Sequence, residues 1–457
     1  MDTSVFFQGG TLVLQHSHDI DEIGEVPAPF QFIKSRWRCE AYHYFTVRDW
    51  MRQRGVRNNV ARWQRLKLEL HDDREPHDYQ AQALAAWQEA QGRGSIVLPT
   101  GAGKTLVATR AIQHVNASTV VLVPTMSLLY QWYVVLTNAF QTEIGVYYSG
   151  EKRVQPLTVT TYHSAGDLIA EYGNAFKLFI CDEVHHLPAK TWGEAALMSP
   201  APYRLGLTAT YPEEYEQTGN RWRLDELIGP IVYKQPLETL VGKQLAEYRT
   251  QRLRVDLNVE ERAAYDAAHE IYMGFVREHG LLKKHGPGWL RELMRLSAKD
   301  VQARRAWLAR RQLLNLLESC QGKFAALETL LREHSGERIL IFTESNAVAY
   351  AIARRHLVPV ISHETGVAER KHVLDGFQAG SYSVIVTSKV LNEGVDVPEA
   401  KVAIVLGGGA SKREYLQRLG RILRKKEPLQ ALLVEVIVRN TVEEGKAQRR
   451  HVPKEQR

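Results

Sequence analysis

The stretch Leu98-Pro-Thr-Gly-Ala-Gly-Lys-Thr105 constrains the fold most. It follows a short apolar run, Ser95-Ile-Val-Leu98, and precedes a helical pattern, Leu106-Val-Ala-Thr-Arg-Ala-Ile112. Strand, glycine-rich loop and helix in that order are the setting of a phosphate-binding loop. Gly101 and Gly103 let the backbone curl so that N–H groups, Ala102 among the loop residues, point at an anion. The following helix adds the positive end of its dipole. Lys104 can set an ammonium against outer phosphates, and the Thr105 hydroxyl can reach Mg²⁺. The strict pattern asks for Gly at the position of Leu98, so a chance glycine-rich turn is the competing reading.

The second signal is Leu178-Phe-Ile-Cys-Asp-Glu-Val-His185, an apolar run ending in two carboxylates. In a doubly wound sheet, strand C-termini face the ligand crevice. Asp182 is then placed to hold Mg²⁺ and Glu183 to polarise an attacking water.

The 457 residues suggest two to four domains, and 44% hydrophobic residues can fill real cores. The net charge of +7 suits a polyanionic partner. Cys39, Cys181 and Cys320 are few and far apart, which argues against a disulfide framework or a cysteine-ligated metal. No run of 18 apolar residues predicts a membrane span, and the N-terminus lacks a signal-peptide pattern, so a cytoplasmic protein is expected.

Along the chain, residues 1–70 predict a small α+β domain with strands at Phe6-Phe7 and Thr11–Leu14 and a helix from Phe45 to Gly55. A first α/β domain is expected over 71–250, with strands at Ser95–Leu98, Thr119–Val123, Leu157–Thr160, Leu178–Cys181 and Arg204–Thr208. A basic helical insertion follows over 255–335. Its Lys283–Arg311 segment carries nine Lys/Arg against two acids, a formal +7 equal to that of the whole chain. Alternation returns over 336–440, with strands at Arg338–Thr343, Val358–Ser362, Tyr382–Thr387, Val402–Leu406 and Ala431–Val436, before a basic tail over 441–457.

The ordered set of motifs resembles superfamily 2 helicases of the DExH type. It adds Val120–Thr125 with Gln131-Trp132, Val159–Tyr162, Leu207–Thr210, Ile339–Phe342, Val386–Val397 and Gln417–Arg424. Within that superfamily the chain looks like the compact archaeal and bacterial xeroderma pigmentosum group B (XPB) helicases. Asp182–His185, Gly206–Thr210, Leu227–Pro230 and Trp37–Tyr44 carry that likeness. The resemblance implies two RecA-like doubly wound parallel-sheet domains, a damage-recognition-like N-terminal domain and a thumb-like insertion. It implies ATP and Mg²⁺ as ligands. Gln80 would read adenine, Gly394 and Asp396 would line the nucleotide, and Gln417, Arg421 and Arg424 would complete the phosphate site. Thr125, Thr161 and Thr387 would touch a DNA strand, and Lys283, Lys284, Arg304 and Arg305 are expected to grip its phosphates, with Trp289 and Trp307 available to stack on bases. The family often has an Arg-Glu-Asp triplet soon after Thr210, where this chain reads Tyr211-Pro-Glu-Glu-Tyr-Glu216.

The expected activity is an ATP-dependent, 3′ to 5′ DNA helicase or translocase in repair or transcription-linked unwinding, acting on single-stranded or forked DNA in a prokaryotic nucleoid. The alternative is a DNA-stimulated ATPase without processive unwinding that remodels DNA or recruits a partner nuclease. An RNA helicase is the third reading, which the branch resemblance disfavours.

Overall fold

The computed structural model describes residues 3–15, 26–189, 191–212, 222–240, 248–388, 400–407 and 431–451. The chain divides into two compact units, Met1–Leu240 and Val241–Arg457.

The first unit opens with a five-stranded sheet in the order β3-β4-β2-β1-β5. Its strands are β1 (Ser4–Gln8), β2 (Thr11–Gln15), β3 (Gln31–Ile33), β4 (Arg36–Glu40) and β5 (Arg57–Asn59). Helix α1 (Tyr44–Arg54) buries Tyr44, Val47 and Met51 in that domain's core and stops at Gly55, whose φ of 66° closes the last turn.

The larger sheet runs β13-β6-β12-β11-β7-β10-β8-β9. These strands are β6 (Arg93–Val97), β7 (Thr119–Val123), β8 (Ile144–Tyr148), β9 (Glu151–Arg153), β10 (Leu157–Thr161), β11 (Leu178–Asp182), β12 (Tyr203–Thr208) and β13 (Ile231–Lys234). All pairings are parallel except β8 with β9. Thr119-Val-Val-Leu-Val123 is buried along its whole length, as strands covered on both faces require. Helix α2 (Asp78–Glu89) precedes β6, and α3 (Lys104–Val115), α4 (Met126–Phe140) and α5 (Tyr162–Tyr172) lie between the strands. The loop residues Lys104 and Thr105 follow β6, and Glu183 follows β11, at the C-terminal edge of the sheet with only β12 between them.

The second unit holds a parallel sheet in the order β14-β19-β18-β15-β17-β16. Its strands are β14 (Tyr248–Val255), β15 (Ile339–Thr343), β16 (Val360–Ile361), β17 (Val384–Ser388), β18 (Val402–Val405) and β19 (Ala431–Val438). The first residues of β14 were expected to close the preceding α/β domain. Instead β14 pairs with β19 over eight residues, and its exposed Arg249, Arg252 and Arg254 suit an edge strand. The helices Val259–Glu278, Leu281–His285, Trp289–Ser297 and Val301–Ser319 share one core around Tyr265, Tyr272, Phe275, Leu293, Leu313 and Leu317. The next helix, Gln321–Glu333, packs on the sheet. Chain departure and return are in contact: a Cβ on Gly322 would stand 2.6 Å from the Asp256 carbonyl oxygen and 3.2 Å from Val255 Cβ. Only glycine permits that approach.

The N-terminal domain docks on the larger sheet through a buried cation. Arg204, on β12, is fully buried and donates to the carbonyls of Ala196 (2.9 Å), Ser199 (2.6 Å), Ala201 (3.4 Å) and Leu227. The Tyr42 ring covers its guanidinium at 4.8 Å, and the Tyr42 hydroxyl donates to the Glu226 carbonyl. Burial pushes the guanidinium down to about 9, still charged at neutral pH. Arg204→Met strands those carbonyls, at about 1–3 kcal/mol per unsatisfied group. A loss of roughly 3–5 kcal/mol is expected, read as a lower urea midpoint; an unchanged midpoint would show that the carbonyls find other donors.

Candidate active site

The phosphate-loop residues adopt the conformation their sequence implies. Gly101 and Gly103 have φ of 84° and 75°. Gly103 is the N-cap of α3 and carries no side-chain cap, so the first N–H groups of the helix are left to an external acceptor. A Cβ on Gly103 would lie 2.3 Å from Gln80 Nε2. Gln80 itself is buried, donating from Nε2 to the Ala102 carbonyl (2.9 Å) and accepting at Oε1 from the His77 N–H (2.8 Å). Tyr79 also donates to the Ala102 carbonyl at 2.9 Å. The amide proposed to read adenine therefore braces the loop in this structure.

Lys104 Nζ stands 3.7 Å from Glu183 Oε1, and both side chains are almost wholly buried. Asp182 accepts from Trp132 Nε1 at Oδ2 (2.9 Å) and from the Glu183 N–H at Oδ1 (2.9 Å). The Tyr162 hydroxyl donates to the Asp182 carbonyl at 2.8 Å; burial raises its pKa well above the usual phenol range, keeping it a neutral donor. Glu183 sits at φ 48°, ψ 52°, a left-handed conformation uncommon for a side chain of its size. Its Oε2 has no hydrogen-bond partner among the described residues and lies 3.5 Å from His185 Nδ1. That ring nitrogen is also 3.0 Å from Thr208 Oγ1, which in turn donates to the Thr210 carbonyl at 2.9 Å. The carboxylate pair, the loop lysine and the Thr208–Thr210 turn thus form one hydrogen-bonded and charged cluster.

The arrangement fits a divalent ion. Among the described residues no three His, Cys, Asp or Glu side chains gather as a self-sufficient metal cage. Magnesium is commonly held by one or two carboxylates with water and substrate phosphates, which suits Asp182 and Thr105 beside an anion-binding loop.

The candidate strand contacts fall partly within reach. Thr125 is half-buried and caps α4, accepting from Leu128 N–H at 3.3 Å. Thr161 and Thr387 are buried, the latter donating to the Ser388 carbonyl at 3.0 Å. Lys283, Lys284, Arg304 and Arg305 are exposed. Trp289 and Trp307 pack against the helical core, Trp289 stacked on Tyr272 at 6.1 Å, so the base-stacking role is not supported by their packing. Gly394, Asp396, Gln417, Arg421 and Arg424 lie outside the described residues. Sequence reasoning missed Trp132 as the partner of Asp182; the signal was its place in Gln131-Trp132, but nothing local tied it to a carboxylate 50 residues on.

A phosphate loop, an Asp-Glu pair at the next-but-one strand and a second parallel sheet define the class of superfamily 2 helicases. Residues 73–213 match the family described as type III restriction enzyme, res subunit, and residues 322–426 match the helicase conserved C-terminal domain. The chain is 40% identical over 411 residues to the DNA 3′-5′ translocase XPB2 of Sulfurisphaera tokodaii, covering 90% of this chain and 92% of that one. It is 32% identical over 361 residues to the DNA 3′-5′ helicase XPB of Kineococcus radiotolerans, covering 76% of this chain and 57% of the relative. The helicase domain of Pyrococcus furiosus Hef aligns with a TM-score of 0.51 at 18% identity, over 82% of this chain and 97% of that one, a likeness of fold. The chain belongs to the XPB family of superfamily 2 helicases.

Burial, and next to it the charge of Glu183, push the Asp182 carboxyl up to about 6. A raised acid favours the folded state below its unfolded pKa of 3.8 and loses that advantage as pH rises through about 6. Asp182→Asn removes the titration. Its stability relative to the native chain should therefore rise by up to about 3 kcal/mol between pH 4 and pH 7.5, whatever fixed cost the amide brings. Paired urea unfolding curves at the two pH values measure it; a difference independent of pH would mean that Asp182 is ionised in the folded protein at pH 4.

Proposed function

We propose that the chain is an ATP-driven DNA helicase or translocase moving 3′ to 5′. The observation that carries the reading is the Lys104–Glu183 pair at 3.7 Å, beside an uncapped helix N-terminus and Asp182. Support comes from the curated relatives, which bear the names DNA 3′-5′ translocase and helicase. In this reading the α3 N-terminus and Lys104 bind the outer phosphates of ATP. Asp182 and Thr105 hold Mg²⁺, which when bound neutralises phosphate charge. Glu183 orients the attacking water and takes up its proton at the carboxylate, while Lys104 fixes one oxygen of that group and His185 lies against the other. Gln417, Arg421 and Arg424 supply charge to the phosphates, with Gly394 and Asp396 lining the nucleotide, on the family pattern alone. Repair or transcription-linked unwinding on prokaryotic DNA is the setting this reading favours.

Glu183→Gln should still bind ATP and Mg²⁺ while turnover falls by roughly 10²–10⁴-fold. Equilibrium nucleotide binding beside steady-state hydrolysis decides it; a variant that loses binding as severely as turnover removes the role given to Glu183.

Thr125, Thr161 and Thr387 are assigned to the strand, and the exposed basic face of the helical insertion to its phosphates. Val301, Arg304, Arg305 and Leu308 share one exposed side of the Val301–Ser319 helix, and Lys283 and Lys284 are exposed on the Leu281–His285 helix. Replacing Lys283, Lys284, Arg304 and Arg305 by Ala should weaken DNA binding and flatten its log–log salt dependence by about 0.7–0.9 per lost contact. ATP hydrolysis without DNA should survive. Unchanged affinity and slope would make the face a protein-docking surface. The sequence Tyr211-Pro-Glu-Glu-Tyr-Glu216, where the family's Arg-Glu-Asp is absent, favours the second reading, a DNA-stimulated ATPase without processive unwinding that remodels DNA or recruits a partner nuclease. Strand displacement on a forked duplex separates the two.

A further inference from the structure

Trp192 lies outside every motif the sequence presents, yet its ring joins two of them. It stacks face to face on Tyr162 at 5.3 Å and 14°, and takes His163 edge-on at 5.1 Å. On its other side it meets His186 at 6.0 Å, and His186 lies 4.2 Å from the His185 ring. His185 reaches Glu183 Oε2 at 3.5 Å and Thr208 Oγ1 at 3.0 Å. Tyr162 and His163 are the first residues of α5, whose N-cap is Thr161. A continuous run of packed rings therefore connects the start of α5 to the carboxylate.

The far end of that run is held in a strained backbone conformation. Glu183 occupies a left-handed conformation that a non-glycine residue holds only when its surroundings fix it. The turn Val184–His186 follows directly, and Trp192 packs on its last residue. Trp192 is itself seated: the next residue, Gly193, lies so close to Trp222 that a Cβ there would stand 2.5 Å from the indole. A shift of the α5 N-terminus thus has a packed path to the turn through the Trp192 ring.

We propose that Trp192 is a positioning residue that couples occupation of the strand site at Thr161 to the placement of Glu183, so that a bound DNA strand accelerates ATP hydrolysis through this ring. The proposal rests on the DNA-stimulated ATPase reading above. Trp192 touches neither the nucleotide-binding loop nor, in this assignment, the strand. It relays occupation of the strand site to the Glu183 turn, and hydrolysis without DNA does not depend on it.

The test compares steady-state ATP hydrolysis with and without a fluorescein-labelled oligothymidylate for the full chain and for Trp192→Ala, Trp192→Phe and His163→Ala. Trp192→Ala should keep hydrolysis without DNA and the KM for ATP near native, and bind the oligonucleotide within about twofold by anisotropy. Its stimulation by DNA should fall at least about fivefold, the lower end of ordinary site-to-site coupling. Phe keeps a ring against Tyr162, so Trp192→Phe should restore most of the stimulation. His163 is exposed, so its replacement leaves the fold intact, and it should lose part of the stimulation. Full stimulation in Trp192→Ala overturns the proposal, as does a proportional loss of activity with and without DNA, or a Phe variant as deficient as Ala. Should the Ala variant fail to fold, His163→Ala decides: unchanged stimulation sinks the coupling route. A native chain that does not respond to DNA overturns the function reading itself, and this is seen before any variant is made.

Discussion

Two carboxylates at the end of β11 and the Lys104 ammonium of α3 lie almost wholly buried together, and the first unit is built to make that tolerable. Ionised groups this deeply buried need partners, since the cost of desolvating each is several kcal/mol. Lys104 supplies one charge to Glu183, and Trp132 and a backbone N–H supply donors to Asp182. Even so, the Asp182 carboxyl stays raised. Two carboxylates face one ammonium here, the imbalance behind the proposal that Asp182 and Thr105 hold Mg²⁺.

The parallel sheet explains why these groups meet. β6 and β11 are separated only by β12. Parallel strands end at the same edge, so the loop after β6, the carboxylates after β11 and the Thr208–Thr210 turn after β12 emerge side by side. β7 and β10 continue the same edge and bring Thr125 and Thr161 along it. Nucleotide chemistry and the candidate strand contacts are thus neighbours by topology, joined by α4 and α5 and by the side chains of Trp132, Tyr162 and Trp192.

Much of this was legible in the sequence. The ten β-branched or aliphatic runs of the two α/β halves all appear as strands, because a strand buried on both faces has to be written in such residues. The loop and the Asp-Glu pair were equally visible, since their chemistry tolerates few residue types. β8 was missed because Gly145 interrupts it; that glycine is there because a Cβ would lie 2.5 Å from Thr158 Oγ1 on the neighbouring β10. β14 was missed because an edge strand with arginines reads as loop. Gln80 was read for what its amide can bond, while the fold already uses both ends of it. Trp132 and Trp192 carry no local mark of their partners, which are set by three-dimensional packing.

The close approach of Gly322 to Val255 and Asp256 has a mechanical consequence. The helical insertion leaves the second sheet and re-enters it at one point, and a third tie joins it to the turn after β19, where Arg262 donates to the Arg439 and Asn440 carbonyls and Tyr265 accepts from the Val442 N–H. Three anchors close together make a pedestal. A further tie reaches a central strand: Glu318, near the end of the Val301–Ser319 helix, accepts from the Glu344 and Ser345 N–H groups just after β15. The base of the insertion is therefore fixed to the second sheet at several points, and the helices can vary in length outward from it without disturbing the register of the strands that carry it.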